Sequence, residues 1–513
     1  MKKILMIILD GFGIRENEHG NAVKLADMTY FNSLLDKYPN ALLEASGEYV
    51  GLPEGQFGNS EVCHEVIGLG KKIKQKITVI NEEIFTKRIL ENKEFNNLLE
   101  TTKKNKSTLH LMGLTSDGGV HSHLGYVLKL IPLLKEKGIK KIVFHAITDG
   151  RDTYIKSSLK FINEVDNLLR SEKLGFVGTI CGRYYAMDRD NKWDRTQKYY
   201  DLVMKNKGFK VIDYNLAINN CYKKNITDEF LPPMLVTDDA CIKQDDTLLW
   251  FNFRPDRARQ ILSALTNPDF SEFKTDFQVN AWNMFEVNDV TNIHTLFELP
   301  RENIYPIGKY FSDLKITQAR IAETEKYSHV TYFFNAELSK KFPLCDNYLV
   351  ESPKVPTYDQ TPLMSATDVT RKVKSAINKN YDFILVNYAN PDMLGHTGNL
   401  EATIESLKGL DKLLEYIVNY SIDNFYKVFI LADHGNCDEM LTDNDEIITT
   451  HSLSKVPFII TDDNLKLKKS GDLTNVAPTL LDYMDIAIPK EMEDAKSLII
   501  KDWKGNKKWK KIY

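Results

Sequence analysis

KILMIILD (3–10), DFILVNYANPD (382–392) and KVFILADH (427–434) share one pattern: an apolar, β-branched run that leads to an aspartate at its exit. Such runs read as strands buried on both faces, as in a parallel sheet. In an open α/β sheet, ligands bind outside the carboxyl ends of the strands. Asp10, Asp392 and Asp433 are therefore expected to meet at one sheet edge despite their separation in the chain. His396 lies four residues beyond Asp392, so the two share a face if the chain turns into a helix there. His434 follows Asp433 directly, and His451 precedes another apolar run, VPFII. Alone, any of these histidines reads as a hydrogen-bonded structural residue. Together, three aspartates and three histidines at strand exits would be costly polar groups if buried unpartnered. They read as a centre for two metal ions. Carboxylate oxygens with imidazoles suit Mn²⁺ or Zn²⁺ better than Ca²⁺.

Four more strand-like runs fill the middle of the chain: STLHLMGL (107–114), KKIVFHAIT (140–148), GFVGTICG (175–182) and DTLLWFNF (246–253). Charge-rich helical stretches alternate with the strands, which predicts an α/β protein with largely parallel sheets. The chain has 513 residues, too many for one ordinary core. Because the metal-type residues lie only outside 76–309, we expect a discontinuous domain, 1–75 with 310–513, interrupted by an inserted domain, 76–309. KKIKQKIT (71–78) and LPRENIYPIGK (299–309) are the expected crossings.

Composition narrows the function classes. Hydrophobic content of 42% and charged content of 27% describe a soluble globular protein. A net charge of −4 argues against a general nucleic-acid-binding surface, so recognition of anions must be local. Six cysteines (63, 181, 221, 241, 345 and 437) are scattered without a C-x-x-C pair, the pattern of free thiols in a reducing compartment. The N-terminal MKKILMIILDGFG has a short apolar run without a small-residue cleavage site, so it reads as a first strand and not a leader. No apolar stretch reaches the roughly 18 residues of a membrane span. A cytoplasmic protein without a membrane or nucleic-acid partner is expected. The lysine-rich KDWKGNKKWKKIY (501–513) reads as a solvated extension, with a nucleic-acid or membrane-surface tail as the alternative.

Ser60 sits in EGQFGNSEVCHEVIGLG (54–70), at the start of a helical pattern. A serine there can cap the helix. The same geometry points backbone N–H groups at an attached phosphate. Serine is a weak nucleophile at neutral pH, and a divalent ion is one means of activating it. Beside a two-metal centre, Ser60 is a candidate for covalent phosphorylation.

The middle segment carries a second constellation at strand ends. LMGLTSDGGVHSH (111–123) supplies His121, and AITDGRD (146–152) supplies Arg151 and Asp152. CGRYYAMDRD (181–190) supplies Arg183 and Arg189, and FNFRPDRAR (251–259) supplies Arg254 and Arg257. Lys326, in RIAETEKYSHVTYFFN (320–335), returns from the outer part of the chain. Guanidinium groups on several loops at one sheet edge form a pocket suited to carboxylate and phosphate. Asp152 reads either as holding a substrate hydroxyl or as pairing with Arg151.

These motifs, with LDGFG, GNSEV-x-H, TDGRD, AETEKYSHVT, NPDM-x-GHTG, ADHGN and the histidine before VPFI, resemble the cofactor-independent (2,3-bisphosphoglycerate-independent) phosphoglycerate mutases of the alkaline phosphatase superfamily. They occur in the family's order over nearly the whole chain. The resemblance implies an alkaline-phosphatase-like domain interrupted by an inserted α/β phosphotransferase domain. It implies two Mn²⁺ ions, with Mg²⁺, Co²⁺ or Zn²⁺ as alternatives. Asp392, His396 and His451 would hold one ion; Asp10, Asp433, His434 and the Ser60 oxygen would hold the other. Ser60 would carry the phosphoryl group between 3-phosphoglycerate and 2-phosphoglycerate. His121, Arg151, Asp152, Arg183, Arg189, Arg254, Arg257 and Lys326 would bind phosphate or glycerate, in a monomer. Cys63 stands where the family usually has glycine, and Glu65 where it has an apolar residue. The alternatives are another metal-dependent phosphomutase or phosphatase of that superfamily, and a non-catalytic phosphometabolite sensor. The arginine-rich segment favours the mutase, because a hydrolase has no need to retain glycerate.

Overall fold

The computed structural model describes residues 2–299, 304–338, 340–492 and 496–501. Most of the lysine-rich C-terminal stretch, 502–513, and part of the second expected crossing, 300–303, lie outside the described residues. The chain divides into two compact units, Met1–Ile73 with Arg301–Tyr513, and Lys74–Pro300.

In the first unit an eight-stranded sheet runs in the order Cys345–Val350, Gln318–Glu323, Phe383–Tyr388, Lys3–Leu9, Tyr426–Leu431, Val456–Ile460, Asn40–Glu44, Ser470–Asp472. Its first five strands are mutually parallel. The three aspartate-terminated runs occupy adjacent central positions, and their side chains are buried almost without break on both faces. That is why they read as continuous apolar runs and not as alternating ones. Register aligns their exits: Leu9 pairs with Tyr388, and Ile8 with Leu431. Asp10 therefore leaves the sheet beside the two segments that deliver Asp392 and Asp433. Gly11 makes the turn after Asp10 with φ +74°, and a Cβ there would stand 2.6 Å from the Asp392 Cα. Only glycine allows that approach.

The second unit carries its own eight-stranded sheet. Its order is Ile293–Thr295, Asn280–Asn283, Thr247–Trp250, Leu109–Leu114, Ile142–Thr148, Gly175–Gly182, Met234–Leu235, Phe209–Lys210. All pairs are parallel except Gly175–Gly182 with Met234–Leu235. The expectation of two α/β units with largely parallel sheets matches this architecture. Among the described residues, no helix is long and apolar enough to cross a membrane.

Across four neighbouring strand segments of the second unit runs a buried polar chain that sequence reading did not pick out. His110 Nε2 meets Asp246 Oδ2 at 3.2 Å, His110 Nδ1 meets His145 Nε2 at 2.8 Å, and His145 Nδ1 meets Thr179 Oγ1 at 2.9 Å. With one proton per imidazole every contact has a donor and an acceptor. Burial holds both imidazoles below the ordinary histidine range; Asp246 and Asp239 oppose the shift at His110, and Lys141 adds to it. The unfolded chain takes up protons near pH 6.5 that the folded unit refuses. Stability is thus present above about pH 6.5 and lost below it, by at most about 1.4 kcal/mol per pH unit per ring. Thermal unfolding of the second unit is expected to fall between pH 7 and 5 on this account, and His110→Leu/His145→Leu to flatten the slope. An unchanged slope in the double variant would assign the loss to other groups.

Candidate active site

Ser60 opens the helix Ser60–Leu69, and the side chain of Asn59 caps it by accepting from the Val62 N–H at 3.0 Å. Capping thus falls to Asn59, which leaves the serine hydroxyl for other partners. Ser60 Oγ lies 2.9 Å from His434 Nε2, 3.0 Å from Asp10 Oδ1 and 2.7 Å from Lys326 Nζ. The Lys326 ammonium also donates to Asp10 Oδ1 at 2.6 Å and to Asp392 Oδ2 at 2.5 Å. All five side chains are buried. Lys326, grouped by sequence with the arginines, thus sits among the strand-exit carboxylates.

Asp392 lies in the short helix Asn390–Gly395. His396 Nε2 and His451 Nε2 each stand 3.3 Å from Asp392 Oδ1 and 3.2 Å from one another. Their Nδ1 atoms face backbone carbonyls, those of Thr449 at 2.7 Å and Gly58 at 2.8 Å. Nδ1–H therefore donates outward on both rings, and the Nε2 atoms turn toward the carboxylate. Two imidazole nitrogens and a carboxylate oxygen in that arrangement call for a cation among them. Asp10, Asp433 and His434 form a second trio; within each trio the ligand atoms lie within 4.8 Å of one another. Asp433 Oδ2 is buried and accepts no hydrogen bond. Its nearest donors are His64 Nδ1 at 3.3 Å, which also meets the Ser60 carbonyl at 2.8 Å, and His434 Nε2 at 3.5 Å. A buried carboxylate oxygen so thinly served is costly, and coordination to a metal would satisfy it. The donor set fits two divalent ions.

Charge is finely balanced here. Burial disfavours the Lys326 ammonium, but Asp10, Asp392 and Asp433 outweigh it and hold its pKa above the ordinary lysine range. Burial, with Asp433 beside it, pushes the Asp10 carboxyl upward. Burial would also raise Asp433, but His434 and His64 hold it far below the usual carboxylate range. Burial and His434 bring His451 down to about 4, so its ring is neutral at physiological pH.

In the second unit the named arginines gather at the carboxyl ends of the strands. Arg183 is buried, and its Nη1 donates to Asp149 Oδ1 at 2.6 Å and Asp152 Oδ2 at 2.5 Å. Asp149 also accepts from the Ser116 hydroxyl at 2.6 Å and from the backbone N–H groups of Arg151 and Asp152. Asp152 therefore pairs with Arg183 and not Arg151, whose guanidinium turns to Glu229 at 2.6 Å. Arg189 and Arg254 share Asp256 at 2.9 and 3.0 Å, while Arg257 donates to the Met187 carbonyl at 3.2 Å. Burial and the surrounding Arg183, Arg254, Arg257 and Arg189 hold His121 well below the ordinary histidine range. Its Nδ1 is buried without a hydrogen bond.

Magnitudes separate these arginines. Breaking a buried pair costs about 3–5 kcal/mol, whereas an exposed pair is worth about 0–1 kcal/mol. Arg183 is committed to Asp149 and Asp152. Arg189 is 48% exposed and its partner Asp256 29%, so this pair can open to an incoming anion at little cost. Burial and three nearby guanidinium groups, Arg189 first, then Arg183 and Arg151, lower Arg257 to about 10 against the opposing pull of Asp256, and a bound anion would relieve that repulsion.

Comparison with known proteins bears on this arrangement. The family model described as "BPG-independent PGAM N-terminus" matches residues 80–290. A 2,3-bisphosphoglycerate-independent phosphoglycerate mutase from Gracilaria tenuistipitata var. liui is 43% identical over 499 residues, which cover 96% of this chain and 97% of the relative. One from Staphylococcus saprophyticus is 42% identical over 494 residues, covering 95% and 97%. The chain belongs to the 2,3-bisphosphoglycerate-independent phosphoglycerate mutase family. A crystal structure of Leishmania mexicana phosphoglycerate mutase, obtained at low cobalt concentration, superimposes with a TM-score of 0.83 at 27% identity, covering 97% of this chain and 98% of that one.

Within this mutase-family chain, several residues at the two clusters escaped sequence reading: His64, Asn387 and Asn436 in the first unit, Asp149 and Asp256 in the second. Asn387 interrupts the apolar strand FILVNY, and a polar side chain inside a doubly buried strand was the available signal. Asp149 and Asp256 lie within two residues of Arg151 and Arg257 in TDGRD and FRPDRAR, where a carboxylate reads only as a local partner of the arginine beside it. Cys63 is fully buried, with Sγ 3.7 Å from the Ala45 carbonyl, and burial keeps it a neutral thiol.

Proposed function

We propose that this chain interconverts 3-phosphoglycerate and 2-phosphoglycerate without a bisphosphoglycerate primer, by way of a phosphoserine on Ser60. The observation that carries this reading is the Ser60 hydroxyl, held within 3.0 Å of an aspartate oxygen, an imidazole nitrogen and an ammonium. A structural serine has no need of all three. Asp392, His396 and His451 would hold one divalent ion, and Asp10, Asp433, His434 and Ser60 the other, Mn²⁺ being our choice for a mixed carboxylate–imidazole set. Such ions lower the pKa of a bound hydroxyl and neutralise phosphoryl charge.

The chain's own groups supply the rest. Asp10 Oδ1 is placed to take the Ser60 proton as Oγ attacks phosphorus and the bond from phosphorus to O3 of the substrate breaks, and that proton passes on to O3, which leaves as a hydroxyl of glycerate. Lys326 donates to Oγ and offsets the negative charge that develops there. Ser60 begins its helix, so the positive end of the helix dipole faces the attached phosphoryl group. His121, Arg151, Arg189, Arg254 and Arg257 would bind the phosphate and carboxylate of the substrate, with Asp152 fixed by Arg183 to accept from a glycerate hydroxyl. Retained glycerate then offers O2 to the phosphoserine, which returns the group and regenerates the Ser60 hydroxyl. The same reading has the chain act as a cytoplasmic monomer; all six cysteines are free thiols, as a reducing compartment would leave them.

Phosphorus NMR tests the reading. Mn²⁺-loaded protein given 3-phosphoglycerate alone is expected to produce the 2-phosphoglycerate resonance and reach the same mixture from either isomer. Inorganic phosphate without isomer exchange would favour a phosphatase of the same superfamily instead.

A further inference from the structure

We propose that Asn387 and His64 are positioning residues for the nucleophile, which together hold the Asp10 carboxylate in register with the helix that begins at Ser60. Neither belongs to the ion-holding set, and both are fully buried. Asn387 Nδ2 donates to Asp10 Oδ2 at 2.7 Å and lies 3.1 Å from His64 Nε2. A carboxylate only accepts, so Asn387 presents its NH₂ side to Asp10, and its second N–H finds its acceptor in His64 Nε2. That assignment fixes the tautomer of His64. Nε2 accepts, and Nδ1–H donates to the Ser60 carbonyl at 2.8 Å with Asp433 Oδ2 at 3.3 Å. Asp10, Asn387, His64 and the Ser60 backbone thus form one directed chain in which each acceptor has its donor.

Packing alone does not account for the pair. Asn387 leaves its own Oδ1 buried without a hydrogen bond. An apolar side chain of similar shape would avoid that cost, as Phe383–Val386 earlier in the same strand do. His64 spends its Nδ1–H on a carbonyl one helical turn back, a bond that adds little to a helix already capped by Asn59 and ended at Gly70 in the left-handed conformation. What the chain does accomplish is to tie together three residues from three elements: Asp10 at a strand exit, Ser60 at a helix start, and Asp433 at a second strand exit. Groups that orient ion-holding carboxylates typically change metal affinity or activity by about 10–100-fold when removed.

The inference rests on the proposed function, with Ser60 as the phosphorylated residue and two ions beside it. The test compares wild type with Asn387→Leu, His64→Leu and His64→Asn, the last retaining an N–H donor near the Nδ1 position. Mn²⁺ binding is followed by the electron paramagnetic resonance signal of the free ion, alongside kcat, KM and Tm. Both leucine variants are expected to weaken one of the two Mn²⁺ sites by about 10–100-fold and leave the other as in wild type. At saturating Mn²⁺ they should lower kcat without moving KM, and His64→Asn should recover much of the loss. Leucine variants that bind two Mn²⁺ as wild type does, with unchanged kcat, overturn the inference while leaving the proposed function intact. So does a fall in Tm with kcat and KM moving together and His64→Asn no better than His64→Leu, since that marks a packing role. Wild type that binds no Mn²⁺ and yields no phosphoserine overturns the proposed function, and this inference with it.

Discussion

Ser60→Ala is expected to abolish isomer exchange, with kcat reduced by about 10⁶-fold, the scale of deleting a catalytic serine nucleophile. The protein should remain folded. Asn59, not Ser60, caps the helix, so the substitution escapes the typical loss of about 1 kcal/mol for a deleted cap. Alanine also suits a first helical turn. A normal thermal transition together with lost exchange would separate chemistry from structure. Lys326 and His434 lose their hydroxyl partner in the variant but keep their contacts with Asp10. The most direct measurement is mass spectrometry of acid-quenched wild-type enzyme after mixing with 3-phosphoglycerate. A phosphorylated peptide containing Ser60 should appear there and be missing from the alanine variant. If Ser60→Ala keeps even a tenth of the wild-type exchange rate, another group is the nucleophile.

How far sequence carried depended on how each residue reaches its place. Asp10, Asp392 and Asp433 were legible because a parallel sheet converts three separate apolar runs into three adjacent exits. That convergence follows from topology, without any knowledge of side-chain geometry. The division of the histidines into the two groups was carried by family resemblance, and the geometric trios fall along the same lines. The arginine loops were legible for the same topological reason. Their carboxylate partners were not, since whether Asp152 faces Arg151 or Arg183 depends on the turn built around Asp149, a three-dimensional matter. Lys326 was the least legible. Its position follows a strand exit, as the aspartates do, but a lysine in an amphipathic stretch carries no sign of three carboxylates waiting around it. His64 and Asn387 show a related limit: each is ordinary in its own element, and their significance lies in a chain of contacts between elements.

Chelation is expected to silence exchange completely, and its reversal to separate metal competition from simple unfolding. EDTA followed by desalting should leave a folded protein with no measurable isomer exchange. Mn²⁺ should restore activity and raise the thermal transition, since a site held at one hundred times its dissociation constant stabilises the folded state by about 2.7 kcal/mol. The acid limb of the pH profile then discriminates among the imidazoles. His451 is neutral down to about pH 4, so its proton does not compete with an ion at moderate acidity. His396 differs: packing disfavours its charge, but the neighbouring Asp392 carboxylate outweighs that and raises its pKa above the ordinary histidine value. An ion entering beside Asp392 must displace that proton, so affinity rises with pH through the His396 transition and falls below it. Activity at limiting Mn²⁺ should therefore begin to drop at or above about pH 6.5, well before His451 titrates. Added Mn²⁺ should push the limb to lower pH by mass action. A limb set by the substrate phosphate or by the Asp246–His110–His145 chain would stay where it is as Mn²⁺ is raised, and activity that survives EDTA and desalting would remove the ions from the chemistry altogether.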